Sequence, residues 1–210
     1  MFACGLEMIF EQIKTEGDNF SYVIGDEITL EAAVVDPSFN ADAIVRLVKE
    51  KRLNLIYIIL THQHPDHYGE SDRIRELFGS KIVAHAKSEI SKDITVNDDD
   101  TLVLGGLQIR VMSTPGHTKD SICLLFDKAV LTGDTLFVGE CGRTDLPDGD
   151  VKEMYNSLFK KLMSLSDDIR VYPGHDYGRK PSSTIGEERR TNYTLKERSL
   201  GQFIEFMKQP

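Results

Sequence analysis

Apolar residues along this chain fall into short runs that come in two sets. Met8–Ile13, Phe20–Ile24 and Ile28–Val35 are rich in Ile, Val, Phe and Tyr, and Gly17-Asp18-Asn19 and Gly25-Asp26 separate them, so three strands are predicted. Asp36-Pro37 closes the third run, because proline cannot continue a ladder. Within Ala41–Lys51, Ala43, Ile44, Leu47 and Val48 recur at helical spacing, with Asn40 or Asp42 as the cap. Leu55–Leu60 is a continuous apolar run bounded by Asn54 and Thr61 and reads as a buried strand. Asp72–Phe78 is a short amphipathic helix ended by Gly79, and Lys81–Ala84 is another strand.

The same order recurs further along. Thr101–Leu104 and Leu107–Met112 flank Gly105-Gly106, a hairpin signal. Ser121–Phe126 and Ala129–Leu131 follow as strands, Val151–Leu165 as a helix and Ile169–Tyr172 as a final strand. The segment from Gly186 to Met207 is charged and largely helical in pattern. Two halves, each with strands first and helices later, predict two mixed sheets packed together with helices outside. No repeat, low-complexity tract or Ser/Gly linker marks a boundary, so residues 1–210 are expected to form a single α/β domain.

Composition narrows the function classes. The chain has 210 residues, 25 Lys+Arg against 34 Asp+Glu, and a net charge of −9. That balance argues against a general nucleic-acid binder, which needs a basic face to neutralise phosphates. The longest apolar run, Leu53–Leu60, is strand-sized and falls short of a membrane span. Three scattered cysteines, Cys4, Cys123 and Cys141, are too few for a disulfide framework and predict a reducing, cytoplasmic setting. The N-terminus has no basic region and carries Glu7 and Glu11 early, so no signal peptide is expected, and Met8 is an alternative start.

The six histidines are far from randomly placed. Thr61-His62-Gln63-His64-Pro65-Asp66-His67 directly follows the run Leu55–Leu60, which puts imidazoles and a carboxylate on a loop at the end of a buried strand. Imidazole and carboxylate suit Zn(II), Fe(II) and Mn(II), and the lack of thiolates argues against a structural zinc finger. His117 in Thr114-Pro115-Gly116-His117, Asp134 in Thr132-Gly133-Asp134 and His175 in Tyr172-Pro173-Gly174-His175 each follow a strand through a small turn residue. All are therefore expected to converge on one edge of the sheets. His85 is left over and reads as a packed histidine, and Cys123 as a buried core thiol.

His62-x-His64-x-Asp66-His67, followed by His117, Asp134 and His175, resembles the metallo-β-lactamase superfamily over nearly the whole chain. The resemblance implies a four-layer αβ/βα sandwich with two divalent ions (zinc, or mixed iron, manganese and zinc) at the edge between the sheets. It implies that His62, His64 and His117 hold one ion, that Asp66, His67 and His175 hold the other, and that Asp134 bridges both. It makes Asp66 and Asp134 the catalytic carboxylates. Asp36 resembles a carboxylate that orients the metal-binding loop, with a plain strand-ending turn as the alternative. Two such ions lower the pKa of a water towards ~7 and supply hydroxide for attack on a carbonyl. No Ser or Cys nucleophile is then required.

Gly139-Glu140-Cys141-Gly142-Arg143-Thr144-Asp145-Leu146-Pro147 and Gly174-His175-Asp176-Tyr177-Gly178 resemble two branches of that superfamily. One is glyoxalase II, which hydrolyses glutathione thioesters. The other is persulfide dioxygenase, which oxidises glutathione persulfide at a single Fe(II). The resemblance makes Arg143 and Tyr177 contacts to a small thiol-derived substrate, with an Arg143–Asp145 ion pair as the alternative. The loop Gly142–Asp145 and the segment Ser183–Glu188 with Asn192 look like the dioxygenase, whereas Asp66-His67-Tyr68-Gly69 follows the hydrolase. The chain is also expected to lack the separate helical domain of full glyoxalase II enzymes. In the dioxygenase, His62, His117 and Asp134 would form a 2-His-1-carboxylate face on one Fe(II). A thioester hydrolase, monomeric or homodimeric, is the first expectation and the dioxygenase the second. A lactonase-type hydrolase or a non-catalytic metal-binding protein are further alternatives.

Overall fold

The computed structural model describes residues 8–15, 17–39 and 41–208. Met1–Glu7 with Cys4, and the candidate cap Asn40, lie outside them. Three strands open the chain: β1 (Met8–Lys14), β2 (Phe20–Asp26) and β3 (Glu31–Val35). Helix α1 (Ala41–Glu50) leads to β4 (Asn54–Ile59), and α2 (Pro65–Tyr68) and α3 (Ser71–Phe78) lead to β5 (Lys81–His85) and β6 (Ile94–Val96). These six strands form one sheet in the order β1-β2-β3-β4-β5-β6, antiparallel up to β3 and parallel from β3 onward.

The second sheet is built from β7 (Thr101–Leu104), β8 (Leu107–Ser113), β9 (Ile122–Phe126) and β10 (Ala129–Gly133), then β11 (Arg170–Pro173) and β12 (Ser183–Thr184). It runs in the order β12-β11-β10-β9-β8-β7, with β10 and β11 parallel. The connection between those two carries α4 (Val151–Tyr155), which passes into a π-helical turn at Asn156–Lys161 and a 3₁₀ turn at Leu162–Ser164. Helices α5 (Ile185–Thr191) and α6 (Leu200–Phe206) complete the chain. The Gly105-Gly106 hairpin forms as expected, with Leu104 opposite Leu107.

The two sheets pack face to face. Tyr22, Ile24, Ile59 and Val83 of the first meet Leu104, Ile109, Val111, Leu124 and Leu131 of the second. Ile44 of α1 and Ile74 of α3 cover the outer face of the first sheet, and Met154, Leu158 and Phe203 cover that of the second. The result is the four-layer helix–sheet–sheet–helix sandwich. Truncating a fully buried residue such as Leu124 to alanine would cost about 2–5 kcal/mol.

Three expectations need correction. The run Ile28–Val35 becomes a strand only at Glu31, because Asp26 Oδ1 accepts from the amides of Ile28 (2.7 Å) and Thr29 (3.3 Å) and makes a turn there. Ile28 is consequently 76% exposed. Val151–Leu165 is α-helical only at its start, since the π-helical turn widens the rest. The ligand-rich motif is half loop and half helix: Pro65 occupies the first turn of α2, a position that needs no amide donor.

Candidate metal centre

The candidate donors and Asp36 are delivered from the carboxyl ends of strands: Asp36 after β3, His62 after β4 with His64, Asp66 and His67 on the turn and helix α2 that follow, His117 after β8, Asp134 after β10 and His175 after β11. The sheets are stitched together at this edge, where the Ile122 amide donates to the Thr61 carbonyl (2.8 Å) and the Phe20 amide to the Gly174 carbonyl (2.8 Å). Gly174 is required there, since a Cβ would stand 2.4 Å from Asp134 Oδ1 and 2.9 Å from the His67 ring. Gly116 has φ +145°, and a Cβ would sit 2.4 Å from the Met154 backbone, so the His117 loop lies directly on α4.

The donors gather into two sets able to hold metal ions, His62 with His64 and His117, and Asp66 with His67 and His175. In the first set His64 Nδ1 lies 3.1 Å from His62 Nε2 and 2.9 Å from His117 Nε2. In the second, His175 Nε2 is 3.2 Å and His67 Nε2 3.6 Å from Asp66 Oδ2. Asp134 stands between them. Its Oδ2 is 3.5 Å from His117 Nε2 and 4.0 Å from His62 Nε2, and its Oδ1 is 2.9 Å from His175 Nδ1 and 3.4 Å from His67 Nε2.

Hydrogen bonds on the outer side determine which nitrogens face inward. His67 Nδ1 donates to Asp36 Oδ2 (3.0 Å), and His117 Nδ1 donates to the Arg143 carbonyl (2.9 Å). Thr61 Oγ1 donates to Asp36 Oδ2 (2.6 Å) and therefore accepts from His62 Nδ1 (3.1 Å). Each of these three rings thus turns a bare Nε2 towards the cluster. Asp36 also accepts from the Thr61 amide at 2.7 Å, so it orients the loop rather than merely ending a strand. It does so at φ +48°, an uncommon conformation for a non-glycine residue and one set immediately before Pro37.

The residues fit a metal. The three nitrogens of the first set meet at about 3 Å with at most one hydrogen among them, and lone pairs that close repel unless a cation lies between. His67 Nε2 is buried with no hydrogen-bond partner, a state that costs about 1–3 kcal/mol unless something fills it. Burial and the neighbouring His67 push His62 well below the ordinary histidine range, and burial with His117 lowers His64, which keeps both rings in the ligating form. Burial opposes charge on Asp134 as well, but the fields and hydrogen bonds of His67, His175 and His62 hold its carboxyl far below the carboxylate range. Burial likewise works against a charged His175, yet its bonds to Asp134 and Asp66 carry it up to about 10.

Beside the donors opens a cavity of about 450 Å³, bordered by Phe137, Arg143 and Tyr177. The Tyr177 ring stacks on His175 at 4.8 Å and is 53% exposed. Arg143 holds Asp145 through Nε (2.6 Å) and Nη2 (2.7 Å), the ion pair weighed as an alternative above. His85 bonds Ser113 Oγ (3.0 Å), away from the cluster, and Cys123 is fully buried with its thiol pushed up to about 11 by burial.

Several contributing residues escaped the sequence reading. Asn19 Nδ2 donates to Asp66 Oδ2 (3.1 Å), and Phe137 packs edge-on to both His175 and Tyr177. Glu188 and Asn192, which the sequence marked only as looking like the dioxygenase, grip the loop behind Phe137, with Glu188 Oε2 accepting from the Gly139 amide and Asn192 Nδ2 (each 2.8 Å). Asn19 looked like a turn residue, and nothing local marks Phe137.

A two-sheet sandwich with paired His/Asp clusters able to hold metal ions at its seam defines the class. The metallo-beta-lactamase superfamily profile matches residues 15–92 and 86–175, and the chain belongs to that superfamily. It is 33% identical over 206 residues to the human mitochondrial persulfide dioxygenase ETHE1, covering 96% of this chain and 80% of that protein. It is 34% identical to a hydroxyacylglutathione hydrolase of Pelagibacter ubique, covering 90% of this chain and 80% of the relative. The crystal structure of ETHE1 from Myxococcus xanthus superposes with a TM-score of 0.91 at 36% identity, over 96% of this chain and 90% of that one. No helix among the described residues is long and apolar enough to cross a membrane.

Proposed function

We propose that this protein is a metal-dependent hydrolase of thioesters carried on a glutathione-like thiol. The observation that carries this reading is the placement of Asp134 between two complete donor sets, one oxygen towards each. His62, His64 and His117 would hold one ion, Asp66, His67 and His175 a second, and Asp134 both. Ions held there would lower the pKa of water and polarise a carbonyl, which is the chemistry thioester cleavage needs.

The chain's own residues do the positioning. Asp36 and Thr61 keep His67 and His62 turned inward, and Asn19 holds the Asp66 carboxylate against His175. Phe137 and Tyr177 wall the cavity beside His175. A thiol leaving group, with a pKa of about 8.5, departs without an acid to protonate it. Arg143 is placed to take a carboxylate of the thiol carrier in exchange for Asp145. We place the protein in a reducing compartment such as the cytoplasm, consistent with the unpaired Cys123 and Cys141.

The similarity to persulfide dioxygenases supports a second reading, in which His62, His117 and Asp134 hold one Fe(II) and the substrate is a thiol persulfide. Metal analysis followed by two assays separates the readings. Two zinc or mixed ions per chain, with thioester cleavage and no oxygen uptake, is the expected result. One iron per chain with oxygen consumption on glutathione persulfide would overturn the hydrolase.

A further inference from the structure

Three tethers run from the segments of the first donor set to one loop of the cavity wall. Residues 143–149 leave Gly142, whose amide donates to the Thr135 carbonyl (3.3 Å), and return at Asp150, whose amide donates to the Gly116 carbonyl (2.8 Å). Arg143 and Leu146 of this loop border the metal-side cavity. The loop doubles back on itself: the Gly149 amide donates to the Leu146 carbonyl (3.0 Å), and a Cβ on Gly149 would stand 2.3 Å from the Thr144 carbonyl oxygen. One tether is the Arg143 carbonyl, which accepts from His117 Nδ1 (2.9 Å). The other two end on Asp148.

Gln63 stands between His62 and His64, and its side chain reaches away from the ring nitrogens that meet there. Its amide has one possible orientation, because a backbone N–H only donates and a carboxylate only accepts. Oε1 therefore accepts from the Glu89 amide (2.9 Å), and Nε2 donates to Asp148 Oδ2 (3.0 Å). Lys119, two residues past His117, brings Nζ to the same Asp148 oxygen (3.2 Å) and to Glu89 Oε1 (2.5 Å). Asp148 receives both at φ +68°, a conformation that suits Gly, Asn and Asp and strains most other side chains. The Lys119 and Asp148 side chains are each 35% exposed, so global stability gains little from the pair. Its effect falls on the loop it holds.

We infer that Asp148 is a positioning residue: through Gln63 and Lys119 it latches residues 143–149 to the segments that carry His62, His64 and His117, and so fixes Arg143 and Leu146 against the cavity. Unlatched, the loop keeps its anchors at Gly142 and Asp150 but no longer holds Arg143 in one place. The inference rests on the proposed thiol-conjugate chemistry for what the cavity binds, whereas the latch itself does not depend on it.

The test uses the metal-loaded protein, first without substrate. The double variant Gln63→Met with Lys119→Met leaves the loop sequence intact. Hydrogen exchange of its Gly149 amide and tryptic cleavage after Arg143 should rise about three- to tenfold, the scale of two partly exposed contacts. Asp148→Gly, which suits the positive φ but lacks the carboxylate, should match the double variant. Asp148→Asn, which keeps an acceptor oxygen, should stay within about twofold of the parent, and so should Glu89→Ala, which removes only the outer partner of Lys119. In the two unlatched variants, KM for a glutathione thioester and the calorimetric Kd of S-methylglutathione, which cannot be cleaved, should rise about three- to tenfold. Their kcat should stay within about twofold of the parent, with equal metal content. Unchanged exchange and cleavage in both unlatched variants, or an equal rise in Glu89→Ala, overturn the latch. A looser loop with unchanged affinity for S-methylglutathione, or no affinity in the parent, overturns its role in placing substrate. The expected changes in exchange and affinity, with no thioester cleaved by the parent, retain the latch and overturn the hydrolase alone.

Discussion

His62, His64 and His117 form a set made of imidazoles alone, whereas Asp66, His67 and His175 mix imidazole with carboxylate. The first set has ring nitrogens pressed together and its members His62 and His64 shifted down, so a single hydrogen on His64 Nδ1 is the one relief its rings offer. The second can relieve itself with a proton, because burial is outweighed there by Asp134, Asp36 and Asp66, and both His67 and His175 are shifted up. The two sets are equally rich in donors but differ in how much they need a cation. A metal centre can thus be built from one half that demands an ion and one half that tolerates its loss.

The largest effect is expected where the halves join. Asp134→Ala removes an oxygen from each set and should lower turnover by about three orders of magnitude or more, with less than one ion left per chain by elemental analysis. Comparing His62→Ala with His175→Ala tests the asymmetry directly. The first should lose the more tightly held ion, while the second keeps about one ion per chain. Retention of two ions by His62→Ala would break the comparison. A dioxygenase working from His62, His117 and Asp134 would also keep activity in His175→Ala and His64→Ala, where a two-ion hydrolase would not.

Asp36→Asn is a finer probe, because it weakens the hold on His67 Nδ1 while leaving every donor in place. Metal affinity measured by chelator competition should fall about 10–100-fold, with the second set affected more than the first. The smallest effect concerns Cys141, in the wall beside the donors. Burial pushes its thiol up to about 12, and a raised pKa leaves the thiolate scarce until pH approaches that value. Alkylation of Cys141, followed by peptide mapping of the folded protein, should be slow at pH 8 and rise about tenfold per pH unit up to pH 11. A plateau already at pH 9 would contradict the burial seen here.

Legibility followed locality. Buried strands such as β4 and β10 were readable because their apolar runs are continuous and their ends carry turn residues. The strands β6 and β12 were not, since runs of Ile94–Val96 and Ser183–Thr184 are held by pairing at sheet ends rather than by their own pattern. Ile28 misled because β propensity competes poorly with an aspartate that captures two amides. In the centre, the seven donors stood out by residue type and spacing, and the structure brings all of them together. Thr61, Asn19 and Phe137 did not, because each acts across a contact between distant segments.

The amino-acid sequence by itself determined the long buried strands, the helices α1 and α3 and the identity of the candidate donors, since periodicity, turn chemistry and ligand type are properties of neighbouring residues. Only the tertiary structure decided which nitrogen each ring turns inward, and it brings the candidate donors into the two sets, with Asp134 between them, that the family resemblance implied. Those outcomes depend on hydrogen bonds between residues as far apart as His117 and Arg143, or His67 and Asp36, and such bonds exist only once the two sheets have closed on each other.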